Sequence, residues 1–449
     1  MNIISDLQVH SRFSRATSKD ITLKNLEKYA RIKGINLLGT GDFTHPQWLK
    51  ELKSELSEDG SGILTSKTGF KFLLQGEISN IYTQGGKGRR IHNLLLAKSF
   101  DVVDQINAAL LKKGRLDYDG RPMFGFSCVE LVEMMKSIDK SIEVIPAHIW
   151  TPWFGLLGSK SGFDSVEECF LDQAKHIHAI ETGLSSDPAM NWRVSSLDKY
   201  TLVSNSDAHS FWPWRLGREC TVFDIDWKYD ELIRALHTKK GLVETIEVDP
   251  NYGKYHYDGH RACNVVQSPS QTRKNKGICP VCKKEITIGV QFRVDELADR
   301  PEGYMPKNPT PFRKLIPLSE IISSVIGSPV ASKKMWEVFS PLVKRFGSEF
   351  FVMLDAEEKE LAKAAGEDVA SAILQTRRQE VEIDPGYDGV YGVPKFKVSG
   401  TPMTKNPIKK NLINKEKTGK RVKEEKKIDE KDMRKEQKKL QEFLQSHQD

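Results

Sequence analysis

The chain has 449 residues, 68 Lys+Arg against 61 Asp+Glu, a formal net charge of +7, 38% hydrophobic residues and six Cys. That length provides for two or three domains of roughly 100–200 residues each. Apolar runs such as Leu94-Leu95-Leu96-Ala97 are far too short to cross a bilayer, and so few Cys do not make a disulfide framework. Met1-Asn2-Ile3-Ile4 runs into Ser5-Asp6 without the pattern of a secretory signal, so a soluble cytoplasmic protein with no membrane partner is expected. The charge is unevenly placed: residues 401–449 hold 15 basic and 9 acidic residues, a net +6, leaving the body near neutral.

Residues 1–245 read as alternating short strands and helices. β-branched or aliphatic runs bounded by turn residues predict strands over 3–9, 35–40, 70–78, 91–97, 142–147, 179–182, 201–204 and 220–224. Helices are predicted over 23–33, 102–111 and 129–138. The first carries Leu23, Leu26, Tyr29 and Ala30 on one face, behind Thr22 and near Asp20 as cap candidates. Such alternation points to a parallel α/β barrel or a doubly wound sheet. Residues 246–305 form a short Cys-bearing module, and 306–317 read as a proline-rich linker. Residues 306–396 form a mainly helical domain, with Trp336, Phe339, Leu342 and Val343 at helical spacing. From 397 to 449 a Lys/Glu-rich tail has too few apolar residues for a core and reads as disordered.

Candidate ligands follow the predicted strand ends. They are Gln8 and His10 after the first strand, Asp42 and His45 after the second, and Glu77 after the third. His92 lies on the fourth; His148, Glu181, Asp207 and His209 come later. A lone histidine is commonly a satisfied core residue, but core histidines have no reason to track strand ends, where barrel active sites lie. Imidazole and carboxylate ligands suit Zn, Mn or Fe. So many of them imply two or three ions, an arrangement that clamps the attacking and leaving oxygens of a phosphoryl group. His176 reads as a surface or supporting residue and His237 as an ordinary helix end.

In order and context these motifs resemble the PHP (polymerase and histidinol phosphatase) superfamily. They are Asp-Leu-x-x-His, Thr-Gly-Asp, the Glu after strand three, Ala-His and Ser-Asp-Ala-His. The resemblance implies a distorted (β/α)7 barrel holding two or three divalent ions, Zn, Mn or Mg. Two positions depart from the family: Gln8 stands where the first His is usual, and Phe43 follows Asp42 where a His is usual. Gln8 still offers a carbonyl oxygen, and His45 lies near the missing imidazole.

His260, Cys263, Cys279 and Cys282 make a structural-zinc pattern, with Cys279-Pro280-Val281-Cys282 as a knuckle. His256 competes with His260 as fourth ligand.

Aromatics accompany the barrel motifs: Trp150, Trp153 and Phe154 after His148, and Phe211, Trp212, Trp214 and Arg215 after His209. Tyr82 precedes a glycine-rich segment carrying Lys87, Arg89 and Arg90, read as a flexible loop suited to phosphate contact. Trp rings beside a phosphodiester site suit stacking on an unstacked base.

Residues 1–395 resemble the endonuclease Q family. The run of motifs includes Gly-Lys-Gly-Arg-Arg, Ala-His-Ile-Trp-Thr-Pro-Trp-Phe-Gly, Ser-Asp-Ala-His-Ser, the Cys module and Pro-Gly-Tyr-Asp-Gly-Val-Tyr-Gly. That resemblance implies a DNA-repair endonuclease nicking 5′ of deoxyuridine, deoxyinosine and abasic sites. In that reading Glu77, His148, Asp207 and His209 are catalytic, with Asp207 positioning or deprotonating the attacking water. The competing readings are a small-molecule PHP phosphatase and a non-catalytic scaffold. In the tail, Gln437, Leu440, Phe443 and Leu444 resemble a peptide that binds a PCNA-type sliding clamp, with the apolar residues on one side of a helical turn.

Overall fold

The structure, a computed structural model, describes residues 2–398. The tail peptide with Gln437, Leu440, Phe443 and Leu444 lies outside the described residues. Two compact units are present: residues 2–316 with 383–394, and residues 317–382 with 395–398. No helix among the described residues is long and apolar enough to cross a membrane.

Seven strands of the first unit make a ring: β1 (Ile3–Asp6), β2 (Leu37–Gly39), β3 (Lys71–Gln84), β4 (Lys87–Ala97), β5 (Glu143–Pro146), β6 (Ala179–Glu181) and β7 (Thr201–Val203). Helices lie between them: α1 (Leu23–Lys33), α2 (Pro46–Glu55), α3 (Phe100–Leu111) and α4 (Cys128–Ile138). α1 forms where its sequence predicts. The Thr22 hydroxyl accepts from Asn25 N at 3.1 Å, and Gly34 closes the helix at φ 99°, a left-handed position that suits glycine.

β1, β2 and β3 pair in parallel, and β6 pairs in parallel with β7. β5 and β6 share no ladder, but Ile149 N donates to Glu181 O at 3.1 Å just beyond them. The ring closes where His10 N donates to Ala208 O at 3.0 Å and Leu7 N to Asn205 Oδ1 at 2.7 Å. β8 (Cys220–Phe223) runs antiparallel to β1 on its outer edge. Then follow α5 (Tyr229–Thr238), β9 (Leu242–Val248), β10 (Asp258–His260), β11 (Val265–Gln267) and β12 (Phe312–Leu315). Leu7, Leu73, Leu94, Leu96, Ile145 and Val203 pack in one core with Tyr229, Leu232 and Leu236 of α5. Each enclosed aliphatic side chain there contributes roughly 1.5–3 kcal/mol.

Three features differ from the sequence reading. β4 is antiparallel to both β3 and β5, so the barrel is not parallel throughout. Hydrophobic alternation sets which face of a strand is buried and carries no direction. The glycine-rich segment is a tight hairpin: Gly85 and Gly86, at φ 61° and 73°, form the two-residue connection between β3 and β4. Glu77 therefore lies within a long strand and not after it, while His92 lies on the fourth strand as expected. Last, the proline-rich stretch contains β12, which pairs in parallel with β9.

In the second unit, α6 (Leu318–Ile326), α7 (Lys333–Phe346), α8 (Glu349–Leu354), α9 (Glu358–Ala365) and α10 (Glu367–Arg377) follow one another. Trp336, Phe339, Leu342 and Val343 are the buried face of α7, as their spacing predicts.

Candidate metal centre

The loops after β2, β5 and β7 carry the same device. Asp42, His148 and Asp207 all have positive φ, at 42°, 32° and 48°. Such non-glycine positions cost of order 1–3 kcal/mol each and persist where surrounding bonds impose them. The bonds are present. Asp42 Oδ2 accepts from Ser11 N at 2.6 Å and the hydroxyls of Ser11 and Ser14 at 2.7 and 2.8 Å. Glu181 accepts from His148 N at 2.7 Å and from Asn205 Nδ2 at 2.8 Å. Asp6, buried, accepts from Ser206 N at 3.0 Å, next to Asp207. Gly120 crosses so close to Asp42 and Ser14 that a Cβ there would overlap both.

Two groups of ligand atoms result: His10, Asp207 and His209, and Glu77, His92 and His148, with all atoms of each group within 4.8 Å of one another. Glu77 joins them. Its Oε2 lies 3.1 Å from His10 Nε2, and its Oε1 lies 2.7 Å from His92 Nδ1. His92 Nδ1 faces His148 Nε2 at 3.3 Å, and His10 Nε2 faces Asp207 Oδ1 at 3.2 Å. Gln8 Nε2 donates to Glu77 at 3.1 Å, while the buried Gln8 Oε1 has no hydrogen-bond partner.

The electrostatics favour added positive charge. Burial works against ionising Glu77, yet Arg121 and His92 beside it hold its pKa well below the usual carboxylate range. Asp207 is likewise held low against burial by His209 and His10. Burial opposes charge on His10, but Asp42, Asp207 and Glu77 raise its pKa well above that of a free imidazole. Burial presses His92 down to about 3. Ionised carboxylates, the neutral His92 imidazole and an orphaned amide oxygen are donors that divalent ions use, and a bound dication would take the place of the proton that the carboxylates draw onto His10.

Several expected ligands lie elsewhere. Asp42 stands behind His10, its Oδ1 3.0 Å from His10 Nδ1 and its other oxygen taken by Ser11 and Ser14. It therefore orients that imidazole. His45 stacks on Phe13 with centroids 4.2 Å apart and joins neither group. With its ring packed there, it does not stand in for an imidazole after Asp42, where the buried Phe43 follows instead. Arg121, which the sequence reading missed, reaches Glu77 Oε1 at 3.3 Å. Its only local signal is an Asp-Gly-Arg-Pro turn between α3 and α4.

The proposed DNA contacts divide. Trp150, Trp212 and Trp214 are buried, at 1%, 2% and 6% exposure. Trp150 Nε1 donates to Asn191 at 2.8 Å, and Trp212 stacks on Trp214. These rings pack loops, because apolar area this large is buried wherever neighbouring loops can cover it. Tyr82 is buried too. Arg89 lies over Phe163 at 3.9 Å and donates to Gly162 O. Arg215 donates to Trp214 O at 2.9 Å and lies over Tyr391 at 5.1 Å. Lys87 and Arg90 on the hairpin are exposed, and Trp153 is partly exposed.

In the Cys module, His260, Cys263, Cys279 and Cys282 converge, with His260 Nδ1 3.2 Å from Cys282 Sγ. His256 instead faces Ser185 O at 3.3 Å, outside the cluster. Against burial, the backbone N–H groups of Cys282 and Val281 bring the Cys279 thiol down to about 6, in the range where thiolates bind metal.

Fold and site together define a mixed α/β barrel with a carboxylate–imidazole metal centre and a separate Cys3His cluster. A family model described as the MJ0043 C-terminal domain matches residues 317–380. The chain is 34% identical over 256 residues to protein MJ0043 of Methanocaldococcus jannaschii; the match covers 56% of this chain and 32% of that protein. It is 30% identical over 411 residues to YqxK of Bacillus subtilis, covering 87% of this chain and 98% of that one. The crystal structure of the lesion-specific endonuclease PfuEndoQ from Pyrococcus furiosus superposes with a TM-score of 0.79 at 32% identity, covering 88% of this chain and 96% of that one. Endonuclease Q in complex with a 27-mer duplex bearing an abasic lesion superposes at 0.80 and 31% identity, covering 88% and 97%. The chain belongs to the endonuclease Q family.

Proposed function

We propose that the chain is a metal-dependent DNA-repair endonuclease that hydrolyses the phosphodiester 5′ of deaminated bases, deoxyuridine and deoxyinosine, and of abasic sites. The observation that carries the reading is Glu77, one buried carboxylate shared by two groups of ligand atoms. That geometry supports a multi-ion phosphoryl site. His10, Asp207 and His209 with Gln8 would hold metal on one side, and Glu77, His92 and His148 on the other. Bound divalent ions there supply a lowered water pKa and charge neutralisation at phosphate.

The chain's own groups do the positioning. Asp207 stays ionised and accepts a hydrogen bond from the attacking water. Asp42 fixes the His10 ring, and Arg121 offers its remaining N–H groups to the scissile phosphate. Lys87 and Arg90 face the DNA backbone, and Trp153 supports a base turned out of the duplex. His260, Cys263, Cys279 and Cys282 hold a structural zinc. The tail residues Gln437, Leu440, Phe443 and Leu444 contact a PCNA-type clamp, on the support of their spacing alone.

Incubating the full chain with Mg, Mn or Zn and labelled duplexes carrying one deoxyuridine, deoxyinosine or abasic analogue tests the reading. A discrete cut on the 5′ side of each lesion is expected. Intact duplexes together with phosphate release from histidinol phosphate would overturn it in favour of a phosphatase.

A further inference from the structure

A second histidine–carboxylate cluster lies at the opposite end of the barrel strands from the centre above. Glu143 opens β5, whereas His148 lies beyond its end; His178 just precedes β6; His237 is in the last turn of α5. Glu143 is fully buried. Its Oε2 is 2.9 Å from His237 Nε2, and its Oε1 is 3.4 Å from His178 Nδ1. The two imidazoles stack with centroids 3.5 Å apart.

An ordinary ion-paired cluster would satisfy its buried atoms. Here Glu143 Oε1 and His178 Nδ1 are both buried and both lack a hydrogen-bond partner, although each faces the other. The ligand atoms of all three residues fall within 4.8 Å of one another. Each oxygen of Glu143 faces one imidazole, Oε2 His237 at 2.9 Å and Oε1 His178 at 3.4 Å, close to the roughly 3.3 Å between neighbouring ligand atoms around a tetrahedral zinc. The His178 and His237 side chains keep 28% and 32% exposure, leaving a route for the ion and for a water as fourth ligand. Lys136 Nζ is 4.0 Å from Glu143 Oε2 and donates to the carbonyls of Lys140 and Ile142.

We propose that Glu143, His178 and His237 bind a dication of the zinc class, distinct from the catalytic centre and the Cys3His cluster. The site joins β5, β6 and α5 where no ladder links β5 to β6. A bound ion there replaces the missing strand pairing with three coordinate bonds, a structural role that rests on this cluster alone.

The test uses the wild-type full chain, stripped by chelator and then treated with diethyl pyrocarbonate with and without Zn2+. Modified peptides are mapped by mass spectrometry. Zinc is expected to slow modification of His178 and His237 several-fold while leaving His176 unchanged. Equal rates with and without zinc would overturn the proposal. As a second measurement, His178→Gln/His237→Gln is expected to carry one equivalent of zinc less than wild type, with lesion nicking unchanged. Equal metal content would equally overturn it.

Discussion

The guanidinium of Arg121 lies 3.3 Å from Glu77 Oε1, the same oxygen that faces His92 at 2.7 Å. A cation is thus placed directly against the carboxylate that joins the two ligand groups. It helps hold Glu77 ionised and stands where a bound phosphate would bring negative charge. Arg121→Ala is expected to slow single-turnover nicking roughly 10²–10³-fold, the scale of losing one placed donor to a developing oxyanion. Arg121→Lys should fall between the two, because lysine keeps the charge and loses the planar fork. Equal rates for wild type and Arg121→Ala would remove this residue from the chemistry.

The tryptophans separate binding from stability. Trp212 is buried against Tyr29, Phe211 and Trp214. Its replacement by Ala is expected to cost about 3–5 kcal/mol of stability in denaturant melts. Trp153→Ala should leave the melt nearly unchanged and weaken binding of a lesion duplex by about 1–3 kcal/mol in a titration. The opposite pattern would reverse their assignments.

Removing one thiolate should undo the small module. Cys279→Ser is expected to lose one zinc equivalent in elemental analysis and to open residues 246–305 to limited proteolysis, because a module of this size depends on its metal for stability. Unchanged zinc content would exclude Cys279 as a ligand.

Acid–base behaviour at Glu247 should appear in stability. Burial raises its pKa to about 7 from an ordinary 4.5, against the hydroxyls of Thr245, Ser204 and Thr182 that bond it. The folded protein therefore keeps a proton there that the unfolded chain gives up. This contribution is fully present below pH 4.5 and is lost as pH rises through 7. Glu247→Gln, neutral at every pH, should flatten the fall in stability between pH 5 and 7.5, read from melts at each pH. An unchanged slope would place the dependence on other carboxyls.

Much of this was legible because it is local. Thr22 and Gly34 bracket α1 where the capping pattern places it. His10, His148, Asp207 and His209 meet because loops follow strands at those positions, and His92 joins them from within β4. What depends on contacts distant in sequence was not legible. The reversed direction of β4, the burial of Trp150, Trp212 and Trp214, and the stacking of His45 on Phe13 each need a neighbour from another segment. Arg121 and the meeting of Glu143 with His178 and His237 are of the same kind: 44 residues separate Arg121 from Glu77, and 94 separate His237 from Glu143.

The central claim is tested most directly by metal-restored cleavage of one substrate. Wild type and Asp207→Asn are stripped of metal and then given divalent ions with an end-labelled duplex holding a single deoxyuridine. The account predicts one cut immediately 5′ of the lesion by wild type only after metal is restored, and binding without cutting by Asp207→Asn. Cleavage by Asp207→Asn at the wild-type rate, or no cleavage by metal-restored wild type, would contradict it.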